Sequence, residues 1–387
     1  MVGAHVLQLI DSLNIGGAEI LLRDLTVGLT QRGFRVSVGY STPGPLARDL
    51  NDLGLTVTRL PRLMRIDPFL FRGMIRLMRK ERPQIVHTHL FKSDFHGRLA
   101  ARIAGVPVVV STLHSIDRWA QKWPLGMLYG WTSRFADRII AISDDVKNFH
   151  MANTAVDESK FVTIGNGVDV QRFSEQKTIG RAVRKEFNLN TSAPVFGIVG
   201  RLTPPKDHRV FLQCAALILQ SIPLAHFLIV GDGPLRGDLE SYARELDIRD
   251  SVIFTGVRRD IPAVLAALDV LVISSLWEGI PVTLLEGMAS ALPVVATQVG
   301  SIPEVVTEET ALLVPPSDPP AMAQACTRLA HDRDLRRRLG QAGLKRVLAH
   351  YSIDAMIDRT TELYAELLRM HGLAQYIPSQ LVPQANP

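Results

Sequence analysis

Two acids, Glu278 and Glu286, bracket the stretch Glu278-Gly-Ile-Pro-Val-Thr-Leu-Leu-Glu286, which follows an apolar run at 270–274 and opens into a helical run at 284–291. A helix starting near Val282 or Thr283 presents free N–H groups and the positive end of its dipole, a setting that suits a diphosphate. Glu278 then lies in the loop and Glu286 about one turn into the helix, so both can face one ligand. The spacing alone also fits surface acids at a helix start, where acids are favoured anyway. A second group is Gly200-Arg201-Leu-Thr-Pro-Pro-Lys206-Asp207, at the end of the apolar run 195–200. Pro204 and Pro205 prevent an immediate helix and keep Arg201 and Lys206 on a loop. There an Arg fork and a Lys point charge could neutralise a nucleotide diphosphate. Gly231-Asp232-Gly233-Pro234 is a tight turn that allows close backbone approach, a weaker signal by itself.

The first half carries Asn14-Ile15-Gly16-Gly17-Ala18-Glu19 between an apolar run and a helical one. Its glycines permit an anion close to the backbone, but the spacing is not the G-x-G-x-x-G of dinucleotide binding, so a nicotinamide cofactor loses its main support. His87, Thr88 and His89 end one apolar run, with Lys92 and Asp94 just beyond, and His114 and Asp117 follow the next. Three strand-end histidines raise the question of a metal, but neither supporting spacing nor a fourth ligand is visible. Asp332-Arg333-Asp334 has a D-x-D spacing yet sits in an arginine-rich helical run, where it reads as a solvated face.

These loops need a scaffold, and the hydrophobic pattern supplies one. Short Val- and Ile-rich runs at 6–10, 35–40, 56–60, 85–88, 108–111, 138–142 and 161–164 alternate with helical segments. The pattern restarts at 195–200, 226–231, 251–255, 270–274, 293–296 and 311–314. Such alternation implies parallel sheets covered by helices. At 387 residues the chain is long enough for two such domains. The expected division is a first domain at 1–175, a linker near 170–185, a second domain at 186–352, a helix at 353–370 and a loose tail at 371–387. A cleft is expected between the two domains.

Composition narrows the function classes. The chain is 47% hydrophobic and 21% charged, with a mean hydropathy of +0.13, too apolar for disorder. Its two cysteines, Cys214 and Cys326, allow neither a disulfide framework nor a cysteine-based zinc site, and a reducing cytosol fits. No run reaches the roughly 18 apolar residues of a spanning helix, and the first residues lack a basic, cleavable leader. Residues 1–173 hold 22 Lys and Arg against 15 Asp and Glu, whereas the remainder hold 21 against 23. A basic first half suits an anionic partner such as a lipid surface or a phosphorylated acceptor. No nucleic-acid module is recognisable.

Taken in order, GGAE, VHTH, IGNGVD, GRLTPPKDH, GDGPLRGDLE, EGIPVTLLEGMA and LPVVATQVGSIPEVV resemble the family 4 retaining glycosyltransferases of GT-B fold over residues 5–370. The resemblance implies two facing Rossmann-like domains and a last helix returning to the first. A nucleotide sugar, most simply a UDP-sugar, would be held mainly by the second domain, and a glycan or lipid-linked acceptor mainly by the first. Arg201, Lys206, Glu278 and His114 would be the catalytic residues. Arg201 and Lys206 would hold the diphosphate, Glu278 would face the donor sugar, and His114 would stand beside it. Glu286 would bond the ribose hydroxyls. Backbone groups of Gly279, Ile280, Pro281, Val282 and Thr283 would bind sugar hydroxyls and phosphate, Pro281 removing one N–H where some relatives have glycine. Gly233 joins this donor set, Gly16 and Gly17 would close over the phosphates, and Asp117 is an acceptor-side candidate. No cofactor and no divalent metal are expected, because the basic pair and the helix start do the metal's work.

An enzyme of this type would serve cell-envelope or exopolysaccharide synthesis from the cytoplasm, at the inner face of the membrane if the basic half docks on anionic lipid. Within residues 70–80, Leu70, Met74, Leu77 and Met78 share one helical face and Arg72, Arg76, Arg79 and Lys80 the other. Trp119, Trp123 and Trp131 fall nearby with Lys122 and Arg134, and the same pattern also fits a core stripe with a solvated face. Competing readings are a GT-B nucleotide-sugar 2-epimerase, a phosphorylase, and a non-catalytic nucleotide-sugar-binding protein. The motif order argues against the first two, and retention of Arg201, Lys206, Glu278 and Glu286 against the third.

Overall fold

Strands covered on both faces by crossover helices have no polar face, which is why the Val- and Ile-rich runs here are nearly unbroken. The computed structural model describes residues 3–60, 67–174, 177–190 and 192–381, and among them all thirteen runs are strands. The chain forms two units, one from Met1–Asn166 with Ile353–Pro387, the other from Gly167–Ser352.

The first unit contains β1 (His5–Ser12), β2 (Arg35–Thr42), β3 (Thr56–Arg59), β4 (Ile85–His89), β5 (Val108–Leu113), β6 (Arg138–Ala141) and β7 (Phe161–Thr163). They form one parallel sheet in the order β3-β2-β1-β4-β5-β6-β7. The register sets Gln8 beside His87 and Ile10 beside His89. His89 in turn stands beside Thr112. The second unit contains β8 (Val195–Val199), β9 (His226–Val230), β10 (Val252–Gly256), β11 (Val270–Ile273), β12 (Val294–Thr297) and β13 (Leu312–Val314). Their order is β10-β9-β8-β11-β12-β13, again parallel. Each sheet reverses its winding once, between β1 and β4 and between β8 and β11. In open α/β sheets ligands bind at the carboxyl ends of the strands at that point.

The stretch read as a linker is helical. Helices Val170–Ser174 and Lys177–Glu186 belong to the second unit. Val183 is buried against Ala263 and Ala267, with Phe187 beside them. The Arg184 guanidinium donates to the Ala267 carbonyl at 2.9 Å and pairs with Asp269 at 2.7 Å. A helix with so narrow an apolar stripe leaves a polar sequence, which hid it.

The helix Ile353–Met370 completes the first unit. Its Ile357, Leu363, Tyr364, Leu367 and Leu368 are buried with Ala4, Val6, Leu25, Leu29 and Phe34. The approach is close enough that a Cβ on Gly28 would lie 2.1 Å from the Ile357 Cδ1. Arg32 adds ion pairs to Asp354 at 3.1 Å and Asp358 at 2.7 Å, exposed contacts worth little beside the apolar packing. The segment expected to be a loose tail is bound as far as Leu381. Ala4 N–H donates to the Tyr376 carbonyl at 2.7 Å, and Ile377 is buried in the same core with Leu373, Tyr376 and Leu381 against it. Apolar residues spaced through this segment outweigh its prolines, and residues 382–387 lie outside the described residues. Among the described residues no helix is long and apolar enough to cross a membrane.

Candidate functional site

At the second switch point, the loops after β8 and β11 are stitched together by their own polar groups. Pro204–Lys206 makes one 3-10 turn, and Asp207, at φ +44°, turns the chain into the helix His208–Ser221. Leu276 N–H donates to the Pro205 carbonyl at 2.8 Å. Ser274 Oγ donates to the carbonyls of Lys206 and Asp207 at 2.8 and 3.0 Å. The Lys206 ammonium pairs directly with Glu278, whose carboxylate also accepts from Ser275 Oγ at 2.6 Å. Both partners are largely shielded, with side chains 25% and 11% exposed, so this is a strong, charge-assisted contact. Lys206, Ser275, Thr283 and Gly200 line one small cavity at the sheet edge. Arg201 stands exposed beside it.

Two glycines hold these loops in place. A Cβ on Gly233 would lie 2.5 Å from the Leu202 carbonyl oxygen, and the two turns are bonded from Leu202 N–H to the Asp232 carbonyl at 3.1 Å and from Leu235 N–H to the Leu202 carbonyl at 3.2 Å. The close approach at Gly233 is therefore made to the arginine loop of the protein itself. Gly300, at φ +50°, would place a Cβ 2.0 Å from the Glu278 carbonyl oxygen, so only glycine fits under that loop.

The helix Val282–Ala289 begins where the sequence places it, with Pro281 at its N-cap and no side chain capping it. Gly279, Ile280 and Pro281 are buried, while Val282 and Thr283 are half-buried at the first turn. Glu286 is buried one turn further on, at 5% exposure. Lys206, Glu278 and Thr283 are thus gathered into one locality. Asp332 serves as the N-cap of Arg333–His350, accepting from Leu335 N–H at 2.8 Å, and Asp334 pairs with Arg337 on the surface.

The first switch point sets neutral histidines beside loops that carry carboxylates. Gly16 is the extended N-cap of Gly17–Gln31, and Glu19 in its first turn accepts from Ser12 Oγ at 2.7 Å. A Cβ on Gly16 would meet the Glu19 carboxylate at 2.4 Å. His89 Nδ1 lies 2.9 Å from His114 Nε2, and His89 Nε2 lies 2.7 Å from Gln8 Oε1. His87 is bonded at both nitrogens, to the Tyr364 hydroxyl at 2.6 Å and to Thr112 Oγ1 at 2.7 Å. Burial depresses all three imidazoles, to about 3 for His87 and about 4 for His114, with His89 well below its usual value. They line a cavity with Thr112, Asn166 and Met356. Five of their six ring nitrogens are engaged with one another or with neutral oxygens, and His114 Nδ1 has no hydrogen-bond partner. Among the described residues no group of three or more His, Cys, Asp or Glu is arranged to hold a metal ion.

Asp117 accepts from Ser115 Oγ at 2.8 Å, and burial raises its carboxyl above the usual range. Asp94 is wholly enclosed by Thr88, Tyr129 and Arg98, and burial pushes it up to about 6. Sequence reasoning missed Gln8 and Asp11. Asp11 accepts from Ser93 N–H at 2.8 Å and Ser93 Oγ at 2.7 Å at the start of Phe91–Ala104. The available signal was a polar side chain in or just after the apolar run VLQLI.

The stripe of Leu70, Met74, Leu77 and Met78 on Pro68–Glu81 is buried core, with Arg72, Arg76, Arg79 and Lys80 facing water. Trp119 packs against Phe91 and Tyr129 with its ring tilted to both. Trp123 and Trp131 are exposed, at 80% and 43%, with Met127 and Leu128 between them. Lys122 and Arg134, at the two ends of this patch, are exposed as well.

Two doubly wound domains in tandem, the second with a basic loop and a helix N-terminus at its switch point, define a GT-B protein. The family model for glycosyl transferases group 1 matches residues 193–332, and that for glycosyltransferase family 4 matches residues 15–172. The chain is 31% identical over 379 residues to the UDP-Gal:alpha-D-GlcNAc-diphosphoundecaprenol alpha-1,3-galactosyltransferase of Escherichia coli, covering 94% of this chain and 97% of that one. It is 27% identical to the putative glycosyltransferase EpsF of Bacillus subtilis over 75% of this chain and 78% of the relative. The crystal structure of Anabaena HepE with UDP-glucose superposes with a TM-score of 0.86 at 20% identity, covering 94% and 100% of the two chains. The chain belongs to the family 4 glycosyltransferases.

Proposed function

We propose that this protein transfers a hexose, with retention of anomeric configuration, from a UDP-sugar to a lipid-linked or glycan acceptor used in envelope or exopolysaccharide synthesis, and that it needs no divalent metal. The observation that carries this reading is the cluster of Lys206, Glu278 and Thr283 at the second switch point, with Arg201 beside it. A diphosphate bound there would draw Lys206 from its pair with Glu278 and take two cationic partners together with the uncapped helix start. Such fixed charges stabilise a departing nucleotide without reorganisation at the moment of reaction. The released Glu278 would accept from a sugar hydroxyl, and Glu286 would bond the ribose. The Gly16–Gly17 loop is assigned to phosphate, His114 to the sugar and Asp117 to the acceptor.

In the step proposed, the bond from the anomeric carbon to the phosphate oxygen breaks as the acceptor oxygen bonds on the same face. The leaving phosphate oxygen takes the acceptor proton, so the protein contributes position and charge rather than a base. Nucleotide release from UDP-, GDP- and ADP-sugars in EDTA, with mixed lipid extract as acceptor source, tests the reading. Release from one UDP-sugar that disappears in Glu286→Ala is expected. Activity that EDTA abolishes would overturn metal independence, and an inverted product would overturn retention.

We further propose that Trp123, Met127, Leu128 and Trp131, bordered by Lys122 and Arg134, dock on anionic lipid, since exposed tryptophans beside cations suit a membrane interface. Co-sedimentation with phosphatidylglycerol vesicles at low salt, lost in Trp123→Ser/Trp131→Ser, is expected. Equal binding to neutral vesicles would sink this assignment.

A further inference from the structure

Three polar side chains on or just after neighbouring strands of the first unit are bonded in series, and the series has a direction. Gln8 Oε1 can only accept, so the 2.7 Å contact takes its proton from His89 Nε2. His89 is neutral, held so by burial, and its other nitrogen, Nδ1, therefore carries a lone pair. The 2.9 Å contact to His114 is then donated by His114 Nε2. Because His114 is also neutral, its Nδ1 is a bare acceptor. That atom is shielded from water and has no hydrogen-bond partner in the protein. Leaving a buried polar atom unpaired costs about 1–3 kcal/mol, a cost removed when a bound group supplies the missing donor.

The neighbouring layer confines the rings of the series. The His87 ring lies 4.2 Å from the His89 ring, centroid to centroid. His87 is itself fixed at both ends by Tyr364 and Thr112. The Gln8 amide nitrogen is turned towards the Tyr364 hydroxyl, which leaves Oε1 to His89. With that oxygen accepting, one assignment of protons satisfies Gln8, His89 and His114 together. His114 follows the end of β5 and lines the cavity at the carboxyl edge of the sheet.

We propose that Gln8 and His89 are positioning residues that lock His114 in its Nε2–H tautomer, so that Nδ1 accepts a hydrogen bond from a hydroxyl of the transferred sugar. The identity of the ligand rests on the functional reading above, whereas the tautomer does not. The chemistry selects a sugar carrying a free hydroxyl at the position facing Nδ1. A deoxy sugar offers no donor there, and a uronic acid offers a carboxylate that meets a lone pair.

The test uses the full chain labelled with ¹⁵N-histidine, in which long-range ¹H–¹⁵N spectra report which ring nitrogen carries the proton. His114 protonated at Nε2 and bare at Nδ1 is expected, and protonation at Nδ1 in the wild type overturns the proposal without any variant. Gln8→Leu removes the acceptor at the head of the series and is expected to lower kcat/KM for the sugar donor about ten- to a hundredfold, as when the outer partner of an orienting histidine is lost elsewhere. Gln8→Glu keeps an acceptor oxygen and is expected to restore both the tautomer and most of the activity. Equal kcat/KM for wild type and Gln8→Leu overturns the proposal, as does a Leu variant that keeps the wild-type tautomer. A wild type that releases nucleotide from no sugar donor overturns the functional reading, and the spectrum still decides the wiring.

Discussion

The two switch points share a topology and differ in the charge of the side chains gathered there. In the second unit the sheet edge carries Arg201, Lys206 and Glu278, all charged and all reachable from water. In the first unit the corresponding edge carries Gln8, His87, His89 and His114, neutral and mostly enclosed. Strand order thus fixes where a ligand is met, and dielectric environment fixes what kind of group is met there. A charged, half-wet edge suits a diphosphate, whose charge needs partners. A dry, neutral histidine cluster suits hydroxyls, whose hydrogen bonds need direction more than strength.

The largest effects should separate the two units by stability. Tyr364→Ala removes a fully buried ring from the first core together with the hydroxyl that holds His87, and should destabilise that unit by about 3–5 kcal/mol while leaving the second unchanged. Denaturant unfolding followed by fluorescence in a Trp277→Phe background, where all remaining tryptophans lie in the first unit, measures it. Equal destabilisation of both units would break the distinction. Next, Lys206→Ala should lower kcat/KM about 10²–10³-fold, the usual cost of losing one fixed charge partner of a transition state, without altering the His114 spectrum. Nucleotide release and the labelled sample read the two halves of that expectation.

Acid should then divide the units. His5, His87, His89, His114 and His150 of the first unit are all depressed, against His208 and His226 of the second. A depressed histidine leaves the unfolded chain binding the proton first, so stability falls as the pH drops from about 6.5 through about 4, the value of His114 and His150, and on towards about 3, the value of His87. Asp11, Asp94 and Asp117 are raised and work the other way, Asp94 below about 6, but the five histidines lead through the upper part of that window. The same fluorescence signal should therefore lose its midpoint on acidification before a probe placed in the second unit does. Ser275→Ala should have the smallest effect. It removes one hydrogen bond to Glu278, worth about 0.5–1.5 kcal/mol, and should reduce kcat/KM by less than about tenfold in the same assay.

Much of this arrangement is legible in the sequence, for a physical reason that also marks where legibility stops. Parallel strands buried on both faces write themselves as apolar runs, so each run expected as a strand is one, and the turn at Gly200–Asp207 is announced by its prolines. The start of the helix at Val282 is likewise visible from Pro281. Pairings between distant residues leave no such local mark. Nothing near Lys206 points to Glu278, 72 positions away, nor does Gln8 signal His89, 81 positions away. The helix at Lys177–Glu186 was lost because one narrow stripe suffices to seat it. Gly233 shows the opposite limit: its sequence says that something comes close, and only the fold says that the neighbour is Leu202.

The packing of Ile353–Met370 into the first core has a consequence for synthesis. A chain made from its amino end brings seven strands of the first unit into water while Tyr364, Leu367 and Leu368 have yet to be translated. The whole of the second unit can fold in that interval, since it is one continuous piece of chain. The unit whose sequence emerges first is therefore finished after the second, and His87 waits for Tyr364 until the whole second unit has been translated. During that delay its open apolar face is the segment of the nascent protein most in need of a chaperone.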